Sequence, residues 1–146
     1  MKIEKLDLPE SAIKFLKSEG FGKLYPPQAD SVKSGLLDGT SILVSAPTAS
    51  GKTLIAMLAI LSYLFKNNGK IIYLSPLRAL AAEKFTEFKK LEKITLGKKI
   101  KVGISTGDFE NIEKNLEKSN ILILTNEKMD SIIRHGVEWV EEIGLV

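Results

Sequence analysis

The sequence predicts an α/β protein in which a parallel sheet carries helices on both faces. Two observations predict it. Short strand-like apolar runs recur at 41–46, 70–74, 99–105 and 120–125, and a helix-like stretch follows each of them. Strands that alternate with helices build parallel βαβ units, whose crossovers are right-handed.

Each element has its own local signal. Pro9 stands near a helix start, Ile13 and Leu16 share one face, and Gly20 is a stop. After the FGKLY turn, Pro26 and Pro27 open a second helix that runs through Leu37 to Gly39. Ser41–Ala46 reads SILVSA, a continuous apolar run bounded by turn signals, as expected of a strand covered on both faces. A helix follows from Lys52 to Phe65, and the NNG stretch ends it. Lys70–Leu74 is the next strand, with a helix from Arg78 to Glu92. Lys99–Ser105 is a strand followed by a polar helix over Phe109–Glu117, and Asn120–Thr125 precedes a helix from Lys128 to Arg134. No internal repeat or Pro/Gly/Ser-rich linker interrupts this order, so a single domain is expected.

Composition removes several classes. The 146 residues are 44% hydrophobic and 27% charged, ordinary for a globular chain with a core of its own. There is no cysteine, which excludes disulfides and thiolate metal sites. The N-terminus is charged from Lys2 onward and lacks the apolar stretch of a secretory signal. Leu54–Phe65, the most apolar run, falls short of the ~20 residues that cross a bilayer. A cytoplasmic protein without a membrane partner is expected. The net charge of +3 permits a polyanionic partner without demanding one.

The chemistry concentrates in APTASGKT, Ala46–Thr53. A strand ends, the chain turns tightly, and Gly51-Lys52-Thr53 opens a helix. Main-chain N–H groups of such a turn and of the helix N-terminus converge on one positive spot. The small residues Ala46, Ala49, Ser50 and Gly51 let the backbone approach a ligand closely. Pro47 and Thr48 complete the turn. Lys52 adds a point charge suited to β/γ phosphates, and Thr53 offers a hydroxyl to Mg²⁺. Several charge-assisted hydrogen bonds of ~1.5–3 kcal/mol each suffice to hold a triphosphate. The general pattern begins with glycine, and here Ala46 stands at that position. The expected ligands are a nucleoside triphosphate and Mg²⁺.

Leu24–Val32 (LYPPQADSV), APTASGKT, Ser75–Lys84 (SPLRALAAEK), Ser105–Phe109 (STGDF) and Thr125–Gly136 (TNEKMDSIIRHG) occur in order. Together they resemble the first RecA-like domain of superfamily 2 DExH-box helicases, and within them the archaeal HelQ-like DNA repair helicases. Alanine at the first glycine position is usual in that superfamily. The resemblance spans nearly the whole chain. It implies a P-loop NTPase of the RecA-like kind over 1–146, cut short, with 1–39 as an N-terminal helical segment carrying the Q-motif.

The resemblance also implies roles. Gln28 takes the Q-motif position, where a side-chain amide pairs with the N6/N7 edge of adenine, and Tyr25 packs on the base. Lys52 and Thr53 are the catalytic side chains, Thr53 through the metal. Pro76 and Arg78, at a strand-to-helix junction, grip the backbone of single-stranded or forked DNA. Thr106, Gly107, Thr125 and Arg134 line the same track. Asp108 is read equally as a turn or helix cap, and Arg134 equally as a solvated residue. His135 is read as a helix-end residue, Trp139 as packing beneath the last helix, and Lys89, Lys90, Lys93, Lys98 and Lys99 equally as a nonspecific attraction for DNA and as a solvated face.

Hydrolysis in this family needs a D-E-x-H stretch after an apolar strand, and no such stretch occurs in the sequence. The final EEIGLV reads as the opening of that strand. The expectation is a piece of a helicase, without the second RecA-like domain and without ATPase activity of its own. Its uncovered strand edges would make it prone to self-association. The parent activity implied is 3′→5′ DNA unwinding in repair or at stalled forks. An RNA helicase of the same group, or a non-catalytic nucleotide- or nucleic-acid-binding module, stands as the alternative. A GTPase would need N-K-x-D, which is absent.

Overall fold

The computed structural model describes residues 1–106 and 116–146. The chain divides into two compact units, Met1–Asn67 and Asn68–Val146. The break falls in the NNG stretch, which the sequence marks only as a helix end.

The first unit is helical among its described elements. α1 spans Glu10–Ser18, with Pro9 at its N-cap, and buries Ala12, Phe15 and Leu16. α2 spans Pro26–Lys33 with proline in its first turn. It ends one turn earlier than the sequence suggests. Gly35 turns left-handed at φ 90°, and Leu36–Asp38 continue as a 3-10 turn. α3 spans Lys52–Lys66 and is the most apolar helix, burying Leu54, Ile55, Leu58, Leu61 and Leu64 among others. Ser62 Oγ at 2.7 Å and Lys66 Nζ at 2.9 Å both donate to the Leu37 carbonyl, which ties α3 to that turn.

Ser41–Ala46 is a correction. The segment is not a strand, no residue from Ser41 to Ser50 is buried, and Leu43 is 98% exposed. Among the described residues no strand pairs with it. A continuous apolar run states that a segment seeks cover. It does not supply the neighbouring strand whose hydrogen bonds make a ladder.

The second unit is the parallel sheet. β1 (Lys70–Ser75), β2 (Val102–Ser105), β3 (Ile121–Thr125) and β4 (Ile143–Leu145) lie in the order β2-β3-β1-β4. All three pairings are parallel, and β1 and β3 run in register from Ile71↔Ile121 to Ser75↔Thr125. The final apolar stretch of the sequence is thus a strand, as expected. α4 (Arg78–Lys89) and α5 (Asn126–Arg134) follow β1 and β3. α4 closes into a 3-10 turn, Lys90–Lys93. The expected helix over Phe109–Glu117 lies outside the described residues except for its last two positions.

Strand residues alternate between the two faces, so neighbours on one strand identify both layers. Tyr73 meets Phe88 of α4 edge-on, with ring centroids 5.0 Å apart. Ile72, one residue earlier, clusters with Leu122, Leu124, Ile132 of α5 and Trp139. Helices therefore cover both faces, and Trp139 packs against the last helix as the sequence suggests. At the N-terminal end of β1, buried Lys70 donates to the carbonyls of Glu117 and Ser119, with its ammonium 5.7 Å from the Trp139 ring centre. Burial lowers the pKa of Lys70, while the charges of Glu142 and Glu117 oppose that shift.

Candidate nucleotide and nucleic-acid sites

The phosphate loop belongs to the first unit. Gly51 is the N-cap of α3 at φ 80°, and Ala49 is left-handed at φ 63° without being glycine. That conformation costs an L-residue about 1–2 kcal/mol, the kind of strain that collects at ligand sites. Among the described residues the main-chain N–H groups of Ala49, Gly51 and Lys52 have no internal partner, whereas that of Ser50 donates to the Pro47 carbonyl at 3.3 Å. The hydroxyl of Ser50 is buried and unpartnered. Lys52 is exposed and folds back, its Nζ donating to the Ala46 carbonyl at 2.6 Å and the Pro47 carbonyl at 2.7 Å. Ala46, Pro47, Thr48 and Thr53 complete the loop around it.

Gln28 reaches this loop from α2. Its side chain is 2% exposed. The Tyr25 N–H donates to Gln28 Oε1 at 2.8 Å, and Gln28 Nε2 donates to the Gly51 carbonyl at 3.2 Å. A Cβ on Gly51 would stand 2.1 Å from Gln28 Nε2. Glycine is therefore required twice, by its backbone angle and by the amide pressed against it. The sequence signals the phosphate loop and the Q-motif separately, but not this link between them. Tyr25 is 66% exposed and opens onto a cavity of about 440 Å³ whose wall includes Leu24, Pro26, Ala29, Lys23 and Lys33. Lys23 and Lys33, isolated lysines beside a helix, carry no local signal in the sequence.

The nucleic-acid candidates belong to the second unit and gather at the C-terminal ends of the strands. The register sets Ser75 beside Thr125 and Ser105 beside Leu124. Pro76 follows the first of these strand ends and Thr106 the second. In open α/β sheets this edge is where ligands bind. Arg78, in the first turn of α4, is exposed and has no ion pair among the described residues. That turn carries no acidic residue either. Thr125 has a structural duty: it is 5% exposed and caps α5, accepting from the Lys128 N–H at 3.3 Å. Arg134 pairs with Asp130 on its own helix at 2.8 Å, at the other end of α5 from Thr125. Gly107 and Asp108 lie outside the described residues. Two hydroxyls escaped the sequence reading. Ser105 Oγ is buried and unpartnered, and Ser75 Oγ donates to the Leu77 carbonyl at 3.2 Å.

A parallel sheet with helices on both faces, together with a glycine-lysine-threonine turn opening a helix, defines an α/β P-loop domain of the RecA-like kind. Comparison with known proteins makes the assignment more specific. The DEAD/DEAH box helicase family model matches residues 25–146, and the chain belongs to that family. It is 44% identical over 146 residues to the ATP-dependent DNA helicase Hel308 of Pyrococcus abyssi, covering 100% of this chain and 20% of the relative. The Hel308 helicase of Pyrococcus horikoshii is 47% identical with the same coverage. The chain thus spans about a fifth of the length of these curated relatives. Among solved structures, the crystal structure of the DUF1998 helicase MrfA bound to DNA and AMPPNP superposes with a TM-score of 0.78 at 28% identity. The match covers 94% of this chain and 20% of that one. No helix among the described residues is long and apolar enough to cross a membrane.

Proposed function

We propose that this chain is the nucleotide- and DNA-binding part of the first RecA-like domain of a cytoplasmic ATP-dependent 3′→5′ DNA repair helicase. The observation that carries the reading is the free row of N–H groups at Ala49, Gly51 and Lys52, held open at the start of α3 by Gln28. The residues fit a triphosphate: the amides and the helix dipole receive phosphate oxygens, and the orphaned Ser50 hydroxyl adds a donor. Lys52 exchanges its two loop carbonyls for phosphate oxygens, trading bonds to neutral acceptors for stronger bonds to an anion. Thr53 would hold Mg²⁺, which supplies charge neutralisation at the phosphates.

Adenine recognition follows from what Gln28 has left. Its two internal bonds fix the direction of the amide and leave one lone pair on Oε1 and one N–H on Nε2. That remaining acceptor–donor pair complements the N6–H and N7 of adenine. Guanine offers acceptors at both positions and leaves the amide oxygen unsatisfied. The exposed Tyr25 ring gives the base a flat surface beside the cavity.

In the second unit, Arg78 binds a backbone phosphate of single-stranded or forked DNA at the strand ends. Pro76, Thr106, Gly107 and Thr125 complete the track, and Arg134 joins it by releasing Asp130. Such contacts set position without reading sequence. DNA rather than RNA is supported by the names of the Hel308 relatives and by the DNA-bound MrfA structure.

Titration calorimetry tests this reading. Lys52→Ala is expected to abolish nucleotide binding. Gln28→Ala is expected to weaken ATP more than CTP or UTP, on top of a loss common to all bases from the slackened loop. Equal losses for every nucleotide would remove the adenine role and leave Gln28 as a loop brace.

A further inference from the structure

The second unit carries a surface away from the strand ends proposed for DNA. From Asn126 to Val146 the chain presents Glu127, Asp130, Glu138, Glu141 and Glu142 against only Lys128 and Arg134, although its net charge is +3. Of the two cations, Lys128 is buried and Arg134 is neutralised by Asp130. Beside the C-terminal end of α5, a cavity of about 550 Å³ is lined by Ile133, Gly136, Val137, Glu138, Val140 and Glu141. Ile133 is 55% exposed there, a large apolar side chain left in water. The carboxylates of Glu138 and Glu141 have no ion pair or hydrogen bond among the described residues.

We infer that this groove docks a basic amphipathic peptide segment of a partner protein. Its apolar side chains lie on Ile133, Val137 and Val140, and its lysines or arginines meet Glu138 and Glu141. Charge complementarity selects the occupant. Unpaired carboxylates on the rim repel nucleic acid and attract a cationic chain, while the exposed Ile133 side chain favours an amphipathic helix face over a fully polar tail. The position agrees. α5 is nine residues long, about 13 Å at 1.5 Å per residue, and Thr125 at its other end belongs to the strand edge assigned to DNA. A partner seated in the groove therefore leaves that edge free, and of the proposed DNA contacts only Arg134 lies at the groove's end of α5.

The test is fluorescence anisotropy of the full chain with a labelled amphipathic leucine/lysine peptide, against a leucine/glutamate peptide and single-stranded DNA. Ile133→Asp, and separately Glu138→Lys with Glu141→Lys, are expected to weaken the leucine/lysine peptide roughly tenfold or more. Glu10→Lys with Asp38→Lys, exposed changes in the first unit, should leave its binding unchanged. These positions are all exposed, and unchanged circular dichroism will confirm folding. Equal peptide affinity in groove and control variants overturns the inference. So does loss of DNA binding in the groove variants, which would make the face part of the DNA track. Concentration-dependent self-association that Ile133→Asp abolishes would assign the groove to a second copy of the chain and overturn it likewise.

Discussion

The two units place functional groups by different means. In the second unit, Thr125 and Arg78 stand where they do because an ordinary parallel ladder keeps its register and two helices start where their strands end. Nothing in that geometry is strained. In the first unit the phosphate loop has no ladder behind it. Its shape rests on two left-handed residues, on Lys52 folded against two carbonyls, and on one buried amide from α2. A sheet holds its edge through the sum of many weak contacts. A loop that keeps its amides open needs a few specific ones.

Three substitutions sharpen this contrast. The largest effect is expected in the sheet unit: Phe88→Ala removes a fully buried ring from α4 and should cost about 3–5 kcal/mol in a denaturant melt. A loss under 1 kcal/mol would show that α4 holds the sheet only loosely. Gly51→Ala comes next, at about 2–3 kcal/mol, because it combines a left-handed alanine with a clash against Gln28. Combining it with Gln28→Ala should recover the clash but not the backbone cost. If the double variant is no more stable than Gly51→Ala alone, the amide contact is not what fixes the loop. Ala49→Gly is the smallest and opposite in sign. Relief of the φ 63° strain, less the added freedom of the unfolded chain, should stabilise by about 1 kcal/mol or slightly less. Destabilisation there would mean that the loop does not store strain at Ala49.

Much of this was legible in the sequence, because the relevant forces act between near neighbours. The α3 start at Gly51-Lys52, the strands β1, β2 and β3, the helices after β1 and β3, and the final strand all follow from turn residues and apolar spacing. Where the reading failed, it lacked a partner. Ser41–Ala46 has the apolar run of a buried strand and no ladder among the described residues. α2 stops at Lys33 because Gly35 turns left-handed, a choice that glycine permits but does not announce. The cap that the Thr125 hydroxyl closes is equally invisible in the sequence, because its need arises only once α5 starts at Asn126.

By itself the sequence determined the class of the protein, the turn proposed to bind phosphate and the strand ends at which nucleic acid is expected, since each is written within a few consecutive residues. Only the tertiary structure decided that Gln28 braces Gly51, that Ser75 and Thr125 come side by side, and that an acidic groove opens beside Ile133. Those relations join residues far apart in the chain. Their distances are set by packing and hydrogen bonding across the fold, and no local pattern contains them.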